Sequence, residues 1–117
     1  MRRPRITDRV RLLHMRDAAR RALELGQGKN LASLPPEDTT ALAVVRLLEI
    51  LGEAARGLSQ ELKERYPDVP WREIADTRNR FVHEYFDVDM EVVGAIVEQD
   101  LPHLLFRLEK ILEEMDT

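Results

Sequence analysis

The chain has 117 residues, 44% of them hydrophobic, a net charge of −4 and no cysteine. Disulfides, thiolate metal sites and a thiol nucleophile are therefore excluded, and no apolar run approaches the ~18 residues that a membrane span needs. This length suits one domain over 1–117, and with no signal-peptide core in view the cytoplasm is the expected compartment. The charge is uneven: residues 1–30 carry nine basic and three acidic side chains, a balance of +6, and the rest of the chain balances at −10. Two readings of that asymmetry stay open. One is a solvated basic helix paired with acidic faces elsewhere; the other is a basic edge that meets RNA phosphates or an acidic partner.

Hydrophobic periodicity predicts a first helix over residues 7–25, closed by Gly26, with Leu12, Met15, Ala19 and Ala22 as its inner stripe. Gln27-Gly28-Lys29-Asn30 reads as a loop, and residues 31–34 as a short turn over the core. Pro35-Pro36-Glu37-Asp38 suits the first turn of a second helix that continues to about Leu62. Ala41, Val44, Val45, Leu48, Leu51, Ala55, Leu58 and Leu62 hold helical period along it. A second stripe of Ala43, Leu47, Ile50 and Ala54 stands either for a wider core or for a dimer seam. Gly52 and Gly57 would each cost roughly 1 kcal/mol against alanine inside a helix, so close backbone approach is expected at both.

Tyr66-Pro67-Asp68-Val69-Pro70 must turn, and a third helix is expected over residues 71–85. Trp71, Ile74, Ala75, Val82 and Tyr85 share its apolar side, with Arg78 in the middle of them, while Asn79 and His83 share a flank. A guanidinium so placed requires a carboxylate, a phosphate or a water-filled cleft, and Glu53 is the obvious internal partner. Asp87-Val88-Asp89 reads as a break followed by an Asp cap for a fourth helix, whose stripe is Val93, Val97, Leu101, Leu104, Leu108, Ile111 and Met115. Pro102 predicts a kink that frees the Glu98 carbonyl, and the last residues are expected to fray. No segment alternates with period two. The expected fold is all-α, an antiparallel bundle of four main helices with a kinked last helix.

A fixed cation, a group that titrates near neutrality and a phenol thus fall close together at Arg78, His83 and Tyr85. That makes a candidate site: histidine can take or give a proton near neutrality, and arginine keeps its charge and grips anionic oxygens. His14 and His103 have no partners at metal-ligand spacing, and no Gly-rich phosphate loop is present, so neither a zinc site nor a bound cofactor is expected.

Several patches, taken in order, resemble the HepT-like toxin family within the HEPN domains of prokaryotes, over about residues 8–112. They are Leu48-Glu49-Ile50-Leu51-Gly52-Glu53-Ala54-Ala55, Tyr66-Pro67, Val69-Pro70-Trp71 with Ile74, Arg78-Asn79, His83, Tyr85, Phe86-Asp87-Val88-Asp89, and Asp100-Leu101-Pro102 with Leu104 and Leu105. Their centre is the pattern Arg-x4-His-x-Tyr. The resemblance implies an all-helical homodimer that brings the Arg and His of two subunits into one cleft and cuts RNA without a metal. It further implies the toxin of a toxin–antitoxin pair, silenced by an MNT-type nucleotidyltransferase antitoxin that AMPylates the motif tyrosine. Carried over by position, Arg78 and His83 would be catalytic, Tyr85 the modification target, and Asn79 and Glu53 supporting residues. The cleavage so implied needs a base for the 2′-hydroxyl, an acid for the departing 5′-oxygen and positive charge on the phosphorane. Since each chain has one motif histidine, two facing subunits would supply the base and the acid, and Arg78 the charge. Glu84, where relatives most often carry glycine, and Asp76-Thr77, where they carry a small residue and methionine, depart from the pattern and add negative charge. Two competing readings are a non-enzymatic helical module that presents substrate or nucleotide to a nucleotidyltransferase, and a structural dimer with an inert site.

Overall fold

The computed structural model describes residues 7–84 and 87–116. Helix α1 (Asp8–Gly26) opens where the Thr7 hydroxyl accepts the Val10 N–H at 3.2 Å, and it buries Leu12, Met15, Ala18, Ala19 and Ala22. The expected stripe is therefore inside, with Ala18 added. Gly26 is the last residue of the helix, and packing favours glycine there: a Cβ would lie 3.2 Å from Leu31 Cδ1 and 3.3 Å from Val97 Cγ1. The left-handed residue is Gly28 in the following loop, at φ 70°. A single 3₁₀ turn (Leu31–Ser33) then drops Leu31 into the core.

Helix α2 (Thr39–Arg56) starts later than the prolines suggested. Its cap is Asp38, whose Oδ1 accepts the N–H groups of Thr40 and Ala41 at 2.8 and 3.2 Å. The second helix is also not continuous to Leu62. It stops at Gly57, and a separate α3 (Gln60–Arg65) begins behind the Ser59 cap. Asp8 of α1 holds that break, its carboxylate accepting from Ser59 N–H at 2.9 Å and Ser59 Oγ at 2.5 Å. A local side-chain alternative and a distant carboxylate thus outcompete helical propensity. At Gly52 the expected backbone approach is present: a Cβ would stand 3.1 Å from the Ile74 carbonyl oxygen and 3.3 Å from that of Ala75. At Gly57 the close neighbour is instead a side chain, the Arg11 guanidinium. In the second stripe Ala54 is buried, whereas Ala43, Leu47 and Ile50 stay half-buried.

The expected third helix breaks twice. Helix α4 (Trp71–Ala75) ends at Asp76, α5 (Thr77–Phe81) ends at Val82, and the chain continues as β1 (Val82–Glu84), antiparallel to β2 (Asp87–Val88). Thr77 contributes to the first break, because its hydroxyl donates back to the Ile74 and Glu73 carbonyls at 2.7 and 3.3 Å. At the second, Phe81 is fully buried and its carbonyl accepts the Asp89 N–H at 2.6 Å, while β-branched Val82 favours extended backbone. Two strands this short carry no readable alternation, which is why periodicity missed them. Replacing Phe81 with alanine should destabilise the protein by ~3–5 kcal/mol in a urea melt, since a fully buried ring leaves a cavity that its neighbours only partly fill.

The last helix is α6 (Met90–Ala95), a π turn (Ile96–Asp100) and α7 (Leu101–Met115) in succession. Pro102 has no N–H for the Glu98 carbonyl, and the expected kink takes the form of that π turn, with Leu101 N–H donating to the Ile96 carbonyl. Helix α7 keeps its form to Met115, and Asp116 beyond it accepts from Arg9 Nε at 3.0 Å and Nη2 at 3.3 Å. Arg20 likewise faces Glu109 at 3.9 Å, so part of the basic face of α1 meets acids of α7. Helix α1 packs on α2 and α7, and α2 also carries α4 and α5. Among the described residues no helix is long and apolar enough to cross a membrane. The all-α expectation holds, with a small hairpin added where the candidate histidine lies.

Candidate active site

The C-terminal half of α2 sets Glu49, Glu53 and Arg56 at helical spacing around Gly52, where the backbone of α4 comes closest. Helix α5 adds Arg78. These side chains, with Leu48 and Ala75, line a cleft of about 270 Å³. Arg56 is held at its edge, donating to the Ala75 carbonyl at 3.0 Å and facing Asp76 Oδ1 at 3.5 Å.

Arg78 does not sit among apolar side chains. The break at Asp76 shifts the phase of the helix, so Thr77 takes the inner position at 4% exposure and Arg78 moves to the rim. Its Nε lies 3.3 Å from Glu49 Oε2, with the Arg78 side chain 63% exposed and that of Glu49 27%. The carboxylate that meets Arg78 is therefore Glu49, not Glu53. Glu53 shares the cleft, but its carboxylate has no ion-pair partner among the described residues. Asn79 is exposed, its backbone N–H donates to the Asp76 carbonyl at 2.9 Å, and its side chain has no hydrogen bond among the described residues.

His83 is on strand β1, not on a helix flank beside Asn79. Val82 pairs with Val88 and Glu84 with Asp87, which leaves His83 as the extra residue of a β-bulge. Its Nε2 lies 3.0 Å from Asp89 Oδ2. That hydrogen bond, helped by the charges of Asp89 and Asp87 and opposed by slight desolvation, raises the imidazole above its ordinary pKa. Asp89 is lowered in turn, first by His83 and then by the backbone N–H groups it caps. Tyr85 lies outside the described residues.

The structure thus brings Arg78 and Glu53 to one cleft and leaves His83 on the neighbouring hairpin, off the cleft lining. Both candidate catalytic groups are open to solvent, and each is met by one carboxylate. Glu49 had a readable signal, since it stands one helical turn before Glu53 in the same patch. Asp89 was legible as a helix cap, but nothing local showed that its second oxygen would reach His83. Among the described residues no three His, Asp or Glu side chains gather in a group that could hold a metal ion.

The model of the ribonuclease HepT-like family matches residues 15–111. A protein of Thermococcus cleftensis named as a probable ribonuclease HepT is 42% identical over 72 residues, 62% of this chain and 66% of that protein. A protein of Caldanaerobacter subterraneus named as a candidate RNase is 32% identical over 108 residues, 92% of this chain and 96% of its own length. A third, from Methanocaldococcus jannaschii, named for a gamma-glutamylcyclotransferase and a candidate RNase, is 40% identical over 74 residues. Those residues are 63% of this chain and 33% of that protein, so the matched stretch spans just under two thirds of the first relative and a third of this one. No solved structure matches the chain. By the extent of the family match and the near full-length likeness to the Caldanaerobacter protein, the chain belongs to the ribonuclease HepT-like family.

Proposed function

We propose that this protein is an endoribonuclease that cuts RNA with its own side chains, as a homodimer in the cytoplasm. The observation that carries the reading is the pair of solvent-open groups Arg78 and His83, five residues apart and each met by a carboxylate, in a chain of this family. Arg78 would grip two oxygens of the scissile phosphate with its planar fork, exchanging Glu49 for the substrate. One imidazole takes the proton of the 2′-hydroxyl as that oxygen attacks phosphorus. The P–O5′ bond then breaks, and a second, protonated imidazole delivers its proton to the departing 5′-oxygen. The products are a 2′,3′-cyclic phosphate and a 5′-hydroxyl. Each described chain carries one such imidazole, so the His83 of a second copy supplies the other, and the half-buried stripe of α2 is the candidate seam between copies. Asn79, whose side chain is open, and Glu53, in the cleft, would steady the substrate.

Restraint by an MNT-type nucleotidyltransferase antitoxin belongs to the same reading, with Tyr85 as the residue it AMPylates and the two proteins forming a toxin–antitoxin pair. The purified protein is expected to cut RNA in the presence of EDTA and to leave cyclic phosphate ends. Incubation with such a nucleotidyltransferase and ATP should add one or more AMP units, and Tyr85→Phe should remove that gain. If RNA stays intact while the AMP transfer occurs, the non-enzymatic module that presents a modification surface is the correct reading.

A further inference from the structure

We propose that Asp89 is the positioning residue of His83: it fixes which ring nitrogen exchanges protons with RNA, a role that rests on the ribonuclease reading above. The geometry assigns each polar atom of Asp89 one task. Its N–H donates to the Phe81 carbonyl at 2.6 Å and closes the hairpin. Its Oδ1 accepts the N–H groups of Glu91 and Val92 at 3.0 and 3.3 Å and starts α6. Oδ2 remains, and it meets His83 Nε2 at 3.0 Å.

Two backbone N–H groups therefore hold this carboxylate in place before any substrate arrives, and two further bonds hold the backbone of the residue. The bulge at His83 is what turns the imidazole toward it. An ionised carboxylate only accepts hydrogen bonds, so the nitrogen facing Asp89 keeps its proton. Nδ1 is then the atom that takes a proton from a 2′-hydroxyl or gives one to a 5′-oxygen. The other charged groups near the imidazole play lesser parts. Asp87 on β2 adds charge without bonding the ring, and Arg80 on α5 is taken by Asp100 at 3.1 Å. Glu84 on the same strand and Glu91 on α6 have no ion pair with His83 among the described residues.

Two variants separate positioning from capping. Asparagine at 89 can still cap α6 through its carbonyl oxygen, but it turns an N–H toward the ring, which favours the tautomer with the wrong nitrogen protonated. Serine caps as well and is too short to reach His83. Asp89→Asn and Asp89→Ser should each keep the helical circular dichroism and lower kcat on a labelled mixed-sequence RNA about tenfold to a hundredfold, with KM unchanged. The charge of Asp89 favours the imidazolium, so its loss should move the His83 titration, read by proton NMR, to lower pH. The high-pH limb of kcat should move the same way. Asp87→Asn should shift the titration less and spare kcat. If the wild type cuts RNA while both variants keep its pH profile and His83 titration, the positioning role is overturned and the ribonuclease reading survives. If the wild type does not cut RNA, both fall, even where the titration shifts.

Discussion

His83→Ala is expected to lower RNA cutting by ~10²–10⁴-fold while the protein keeps its fold and oligomeric state. The imidazole is 55% exposed and its one ion-pair partner among the described residues is Asp89, so truncating it opens no cavity and orphans no buried group. Asp89 would still cap α6 through Oδ1. A loss of activity therefore reports chemistry and not unfolding. With two imidazoles needed at each site, a dimer mixing wild-type and His83→Ala subunits should also be inactive, so activity should follow roughly the square of the wild-type fraction. Equal residual traces from wild type and His83→Ala would end the nuclease reading.

The second large effect is expected at Arg78. Arg78→Ala should cost ~10²–10³-fold in cutting, because the charge that develops on the phosphorane loses its fixed counter-charge. Arg78→Lys should recover only part of that, since an ammonium offers a point charge where the guanidinium offers two parallel donors. The ion pair with Glu49 adds a test in the opposite direction. At 3.3 Å, Glu49 competes with phosphate for the guanidinium, so Glu49→Gln should lower KM for RNA without lowering kcat. Salt should weaken binding in every variant, and less steeply for Arg78→Ala, which makes fewer phosphate contacts. A Glu49→Gln protein with higher KM would mean that Glu49 aligns the arginine and does not restrain it.

Much of the scaffold was legible from residue order. The stripes of α1 and of the last helix are buried as their 3.6-residue period requires, Met115 only in part; Asp89 caps α6 as a short acceptor before an apolar run should, and Pro102 disrupts the last helix at the expected place. Gly52 also announced the contact with α4. The site itself was only half legible. Residue types and spacing picked out Arg78 and His83, but periodicity assumes an unbroken helix, and two interruptions void that assumption between Asp76 and Val82. Both involve competition that a single-helix pattern does not contain: Thr77 bonding back to carbonyls, and the Phe81 carbonyl taking its partner from Asp89.

By itself, the sequence determined the helical class, the buried faces of the long helices and which side chains could act as a proton carrier and a fixed cation, because these depend on local period and side-chain chemistry. Only the tertiary structure decided that Arg78 leans on Glu49 rather than Glu53, that His83 stands on a bulged strand, and that a helix cap also reaches the imidazole. The physical reason is common to all three. A phase shift at one residue rotates everything after it, and a carboxylate chooses its partner by distance in space, which no pattern along one helix encodes.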